Sequence, residues 1–182
     1  MIFDERFFTE EISDIDYPHY QKRAEWISNY ITPNSVVCIL GCGFGYTVKY
    51  LRQLGVNVIG IEVAKYAYDR RKDPSIYNQD IVDIDYSNAD YLFSWNVLDC
   101  LNEKKAVKIA NHLNQFSAQQ IHIMCCLEDN SAQKYINQGY FIKSIEYWKS
   151  LIPNGFLVEY GTEKVYGIES LNIPLSVNKV SE

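Results

Sequence analysis

The chain has 182 residues, 47% of them hydrophobic and 22% charged, and carries a formal net charge of −6. That length suits one domain with a full hydrophobic core. The acidic balance speaks against a partner held by long runs of phosphate, because the basic clusters Arg70-Arg71-Lys72 and Lys104-Lys105 are short and flanked by acids.

Met1 to Ile15 mixes acids with Phe7 and Phe8 and reads as an arm or short helix. Its opening, Met1-Ile2-Phe3-Asp4-Glu5, is acidic where a secretory signal is basic. No apolar run approaches the ~18–20 residues that span a bilayer. The expectation is a cytoplasmic protein with no membrane partner. Residues 17–31 read as an N-terminal helix, with Tyr20, Ala24, Ile27 and Ile31 on one stripe, and Thr32-Pro33-Asn34-Ser35 breaks it.

Val36 to Leu40 is a continuous apolar run of the kind buried on both faces of a sheet. The glycine-rich turn Leu40-Gly41-Cys42-Gly43-Phe44-Gly45 follows it, then a helix through Val48, Leu51 and Leu54 that Gly55 ends in a left-handed cap. Val56 to Glu62 is a second buried strand. A strand, helix and strand within residues 36–62 make a βαβ unit, so the sheet is parallel there.

The alternation continues with a short helix over Ala64–Arg71, a strand at Ile76–Asn78 and another at Tyr91–Trp95. Asn102 caps a helix whose apolar face is Ala106, Ile109, Ala110, Leu113 and Phe116. Ile121–Cys126 reads as a strand, Ser131–Gln138 and Ser144–Leu151 as helices, and Phe156–Tyr160 with Lys164–Ile168 as an antiparallel pair. Residues 172–182 show no periodicity and read as a loose tail. The order predicts a single α/β domain: a three-layer α/β/α sandwich on a mostly parallel sheet that ends in an antiparallel hairpin.

Cysteine and histidine argue against a metal. The five cysteines (Cys38, Cys42, Cys100, Cys125 and Cys126) form no C-x-x-C pair, and the three histidines show no ligand spacing. Cys38, Cys125 and Cys126 fall in strand runs, where free Cys behaves as a small hydrophobe, in keeping with a reducing compartment. The 15 tyrosines read first as core packing.

Glycines between a strand and a helix let a ligand approach the backbone and the helix N-terminus. The spacing here is G-x-G-x-G; the nicotinamide fingerprint G-x-G-x-x-G would need glycine where Tyr46 stands. Val37-Cys38-Ile39-Leu40-Gly41-Cys42-Gly43-Phe44-Gly45 resembles the first motif of the class I, Rossmann-like S-adenosylmethionine-dependent methyltransferases. Val58 to Val63, with Glu62 at the strand tip, resembles their second motif, Asn78-Gln79-Asp80-Ile81 the third, and Ala89 to Leu98 the fourth. Order and spacing match from Val36 to about Leu101, and Glu146-Tyr147-Trp148 before Leu151-Ile152-Pro153 is similar to the family's C-terminal part.

The resemblance implies S-adenosylmethionine as cofactor, S-adenosylhomocysteine as product, and a cofactor site within residues 36–101. Gly41, Cys42, Gly43, Gly45 and Tyr46 would line the methionine tail. Glu62 would accept both ribose hydroxyls, each bond to the charged group contributing about 1.5–3 kcal/mol. Val63 follows it in the same motif. Asp80 would take the adenine amino group with Ile81 near the ring, and Trp95 and Asn96 would stand at the carboxyl edge of the fourth strand. One position departs: family members usually carry an acid two residues before the first glycine, to help hold the cofactor's ammonium group, and here it is Ile39. Either other groups hold the tail or the domain binds without chemistry.

In related folds the N-terminal helix covers the cofactor, which makes residues 17–31 a lid and Tyr20 and His19 the candidate bases, with Tyr17, Asp99 and His122 behind them. Asn96-Val97-Leu98-Asp99 stands where amino-methylating DNA enzymes carry D/N-P-P-Y/F. The acceptor is therefore expected to be a small molecule rather than nucleic acid, with a second copy or partner chain as one way to complete so short a chain's pocket. Two other readings stay open: a non-catalytic S-adenosylmethionine-binding or regulatory module, and a Rossmann-type enzyme that uses another nucleotide.

Overall fold

A computed structural model of the protein describes residues 5, 8, 18–71, 73–115, 120–124, 141, 143–151, 156–158 and 177–178. The apolar run Val36–Leu40 forms β1, and it needs no polar face because β2 (Asn57–Ile61) and β4 (Tyr91–Trp95) flank it, both parallel. With β3 (Ile76–Tyr77), β5 (Gln120–Met124), β6 (Phe156–Val158) and β7 (Val177–Asn178), the described strands form one sheet in the order β3-β2-β1-β4-β5-β6-β7. Every neighbouring pair is parallel except β6 with β7. The chain therefore winds outward from β1 in one direction and then returns to wind in the other. The carboxyl ends of β1 and β4 flank the switch point, where open α/β sheets bind ligands.

Side chains alternate across β1. Val37 and Ile39 face one layer, with Ala24 and Ile27 of α1 (Pro18–Tyr30) and Val48 and Leu51 of α2 (Tyr46–Gln53). Cys38 and Leu40 face the other, built from Ala106, Ile109, Ala110 and Leu113 of α4 (Glu103–Leu113) and Trp148 of α5 (Ile145–Leu151). Between α2 and α4 in sequence comes α3 (Lys65–Arg71), whose Ala67 is fully buried.

The helix ends follow from local chemistry. Pro18 opens α1, where a missing N–H costs nothing. Gly55 (φ 80°) donates to Arg52 O while Val56 donates to Leu51 O, a Schellman cap on α2. Asn102 Oδ1 accepts from Lys105 N at 3.0 Å and caps α4.

Much of the tyrosine and tryptophan content is packing. Tyr91, Phe93 and Trp95 stack along one face of β4 at 6.2 and 5.7 Å, and Trp26 of α1 meets Phe93 edge-on at 5.9 Å. Such pairs contribute about 0.5–1.5 kcal/mol each beyond area burial.

The C-terminal part differs from expectation in one place. β6 pairs with Val177–Asn178, inside the segment expected to be a loose tail, while the expected partner at 164–168 lies outside the described residues, as do Phe116, Cys125, Cys126 and the helix expected at 131–138. An edge pairing uses backbone groups and leaves no hydrophobic period in the sequence. Among the described residues no helix is long and apolar enough to cross a membrane, and no cluster of three His, Cys, Asp or Glu side chains is placed to hold a metal.

Candidate functional site

The turn between β1 and α2 is built from left-handed residues: Gly41, Gly43 and Gly45 have φ of 61°, 56° and 75°. At Gly41 a Cβ would collide with Val97 Cγ2, and at Gly45 with Ile76 Cδ1. Backbone conformation favours glycine at both, and at Gly41 the close approach of the branched Val97 side chain adds to it. The first contact joins the glycine turn to the turn after β4, so the two sides of the switch point touch. Cys42 N donates to Ile61 O at 3.0 Å and ties the turn to the end of β2 as well.

Glu62, just past β2, is 5% exposed. Gly43 N donates to its Oε2 at 2.7 Å and Ala64 N to its Oε1 at 2.8 Å. A solvated strand end is therefore ruled out; the carboxylate is a built part of the turn. Burial raises its pKa, and the hydrogen bonds from Ala64, Gly43 and Val63 oppose that rise. Two oxygens offer about four acceptor positions, so the three backbone donors do not exhaust them. Burial, and then the Glu62 charge, push the neighbouring Cys42 thiol up, which leaves it a poor nucleophile.

Beyond Glu62 lies a cavity of about 190 Å³ lined by Val63, Ala64, Lys65, Cys100, Leu101, Asn102 and Lys105. It is smaller than the ~300–1,000 Å³ of sites for drug-sized ligands and suits a single heterocycle. Asp80 meets this cavity through Lys105, whose Nζ is 3.2 Å from its carboxylate, and it also caps the 3-10 turn Ile81–Asp83 by accepting from Val82 N at 3.3 Å. Ile81 is buried in the core with Leu98 and Leu101.

On the β4 side, Asn96 is left-handed (φ 50°), and its Oδ1 and the Ser94 Oγ are buried with no hydrogen-bond partner among the described residues. Cys100 Sγ donates to the Asn96 carbonyl at 3.0 Å. Ile39 is 4% exposed and sits in register between Gly60 and Phe93, facing α1 and α2. Over this end lies the first half of α1. Tyr20 stacks on Tyr46 at 5.2 Å, His19 lies 4.1 Å from the Tyr20 ring, and the Arg23 guanidinium sits 4.6 Å from the Trp95 centroid. Burial, helped by Arg23, pushes the His19 pKa down to about 4.

No protein-family model and no curated protein matches the sequence. Solved structures do match. Magnesium protoporphyrin IX methyltransferase from Synechocystis PCC 6803, with bound SAH, aligns with a TM-score of 0.64 at 15% identity, over 84% of this chain and 82% of that one. A SAM-dependent methyltransferase from Archaeoglobus fulgidus aligns at 0.59 and 14% identity, over 75% and 67%. The mitomycin 7-O-methyltransferase MmcR aligns at 0.56 and 14% identity, over 78% and 49%. The fold is that of the class I methyltransferases. The chain spans about half the length of MmcR and of the CcbJ methyltransferase from Streptomyces caelestis.

Within this class I methyltransferase fold, the residues expected from sequence sort by position. Gly41, Cys42, Gly43, Gly45, Tyr46 and Glu62 come together around one turn, and Val63 opens the adjoining cavity. Trp95 and Asn96 stand across the switch point from them. Tyr20 and His19 reach the start of α2. Tyr17 and the His122 side chain lie outside the described residues, and Asp99 is 1% exposed after β4. Sequence reasoning missed Lys105, which pairs with Asp80, and Phe8, whose ring meets Phe44 at 5.3 Å beside the turn. The one signal for Phe8 was an aromatic pair, Phe7-Phe8, within an otherwise acidic arm.

Proposed function

We propose that the chain is an S-adenosylmethionine-dependent methyltransferase acting on a small-molecule acceptor. One observation carries this: a buried carboxylate, Glu62, held by Gly43 N at 2.7 Å against a left-handed glycine turn at the switch point of the sheet. Structures of similar fold were solved with SAM or SAH, and their names give small acceptors such as magnesium protoporphyrin IX and mitomycin.

The residues present fit the cofactor. The small cavity between Val63 and Leu101 would take adenine, with Asp80 reaching it through Lys105 and Ile81 packed in the core with Leu101. Glu62 would accept from the ribose hydroxyls through the acceptor capacity its backbone donors leave. The methionine tail would run along Gly41, Cys42, Gly43, Gly45 and Tyr46. Ile39 offers its ammonium nothing, but the buried Asn96 Oδ1, unpaired among the described residues, is an acceptor at the same end of the sheet, and Trp95 would complete the wall.

When bound, S-adenosylmethionine supplies a methyl group on cationic sulfur, an electrophile that needs no further activation. The chain's part is to exclude water and align the acceptor, and alignment alone can supply roughly 7–11 kcal/mol of a barrier. A histidine whose pKa is about 4 is a weak base at neutral pH. The acceptors that suit His19 and Tyr20 are therefore those whose nucleophilic atom already carries a free lone pair near pH 7.

Ile39 and the depressed His19 also favour a second reading, a non-catalytic S-adenosylmethionine-binding module. Calorimetry with S-adenosylmethionine, S-adenosylhomocysteine and NAD separates the possibilities. Failure of both sulfur nucleotides to bind at millimolar concentration would refute the first proposal, and preference for NAD would point to a different nucleotide enzyme. Tight binding with no turnover across a broad acceptor panel would favour the module.

A further inference from the structure

Phe8 lies outside every motif that the sequence brings to the site, yet it is 2% exposed. Its ring meets Phe44 edge-on at 5.3 Å, lies 6.3 Å from Tyr66, and packs in one cluster with Phe44, Tyr46, Ala64 and Ala67. A side-chain carbon at Gly43 would sit 3.9 Å from Phe8 Cε1. These neighbours include both segments that hold the Glu62 carboxylate, since Gly43 N donates to one oxygen at 2.7 Å and Ala64 N to the other at 2.8 Å. The two segments come from different parts of the fold, one between β1 and α2 and the other between β2 and α3. Phe8 bridges them on that side, adding to the direct contacts of Phe44 with Tyr66 at 6.5 Å and of the Arg71 guanidinium with the Tyr46 ring at 4.1 Å.

We infer that Phe8 is a positioning residue for the ribose-binding carboxylate: its ring clamps the glycine turn to the start of α3 and so fixes the direction in which Glu62 presents its remaining lone pairs. This rests on the proposed cofactor site. A carboxylate held on both oxygens loses little freedom when hydroxyls arrive, and an apolar cluster beside the turn lowers the competition from water for those bonds. Phe8 does not touch the reacting atoms, and its effect passes through Gly43, Ala64 and Glu62.

The test compares S-adenosylhomocysteine with its 2′,3′-dideoxy analogue on the intact chain and on Phe8→Ala and Phe8→Leu, by calorimetry. The unaltered protein should prefer the ribose form by about tenfold or more, the scale of hydrogen bonds to a charged group. In Phe8→Ala that preference should fall to within about threefold, largely through loss of affinity for the ribose form, and Phe8→Leu should keep most of it. Equal loss of affinity for both ligands, with the preference preserved, would show a merely structural role and overturn the inference; so would no change. If Phe8→Ala does not fold, Phe8→Val, which loses more of the ring than Phe8→Leu, serves instead through amide hydrogen exchange. An increase over the unaltered chain that is larger at Gly43 and Ala64 than at Leu40 and Ile61 supports the clamp, and an equal increase, or none, overturns it. A wild-type chain that binds S-adenosylhomocysteine but ignores its ribose hydroxyls refutes the Glu62 assignment, a failure distinct from failure of Phe8.

Discussion

Glu62 joins conformation and chemistry in one side chain. Its pKa lies above the ordinary glutamate value of about 4.3–4.5 because burial outweighs three backbone hydrogen bonds. The sign of two effects follows. A raised folded pKa means that the native state holds its proton more tightly than the unfolded chain, so the stability this confers is present in acid and is lost as pH rises through the folded pKa. On the proposed role of Glu62 ligand binding runs the other way, because the ionised form is the stronger acceptor for hydroxyls. Affinity for S-adenosylhomocysteine should therefore begin to fall, as pH is lowered, while still above the normal glutamate range. Glu62→Gln should weaken binding by roughly ten- to hundredfold and remove that acid limb. Calorimetric titrations between neutral and acid pH read both outcomes. Gly41 offers a second residue-scale prediction. Gly41→Ala meets Val97 and a φ of 61° together, and should cost about 1–3 kcal/mol in chemical denaturation. Adding Val97→Ala should recover the steric part and leave the backbone part, so a fully restored midpoint would contradict this account.

At the scale of elements, α1 has two halves with different work. Its first turns carry His19, Tyr20 and Arg23 to the site, while Ala24 and Ile27 are fully buried against β1, α2 and β4. Removing the whole helix would therefore take core with it, and point variants separate the roles better. Ile27→Ala should destabilise by about 2–5 kcal/mol in urea melts, whereas Tyr20→Ala should act mainly on ligand affinity. Most strands and helices of residues 18–113 were legible because an apolar run or stripe lies between Gly, Pro or Asn signals. What stayed hidden were pairings between residues far apart in sequence. Lys105 with Asp80 and Phe8 with Phe44 depend on where the fold brings two surfaces together, and neither partner's local pattern announces the other. The β6–β7 pairing was hidden for a different reason, since two residues of edge strand carry no period.

For the whole molecule, a sheet that reverses direction between β1 and β4 puts the glycine turn and the β4 turn side by side, and their contact at Gly41 and Val97 makes them one unit. A ligand seated there binds only the folded chain. At a hundred times its dissociation constant it should add about 2.7 kcal/mol of stability, or roughly 5–10 °C for a protein of this size. Thermal melts with S-adenosylhomocysteine should show this rise and melts with NAD should not; equal shifts would count against a sulfonium-nucleotide site.

The aromatic column on β4 also has an optical consequence. Of the three tryptophans, Trp148 is sealed in the opposite core, while Trp95 stands at the switch point under the Arg23 guanidinium, 6.3 Å from Trp26. Intrinsic emission should therefore respond to anything that enters the crevice, with Trp95→Phe silencing the response and Trp148→Phe leaving it intact. A fluorescent reporter thus stands beside the proposed site, so candidate ligands can be screened by titration with neither label nor coupled assay.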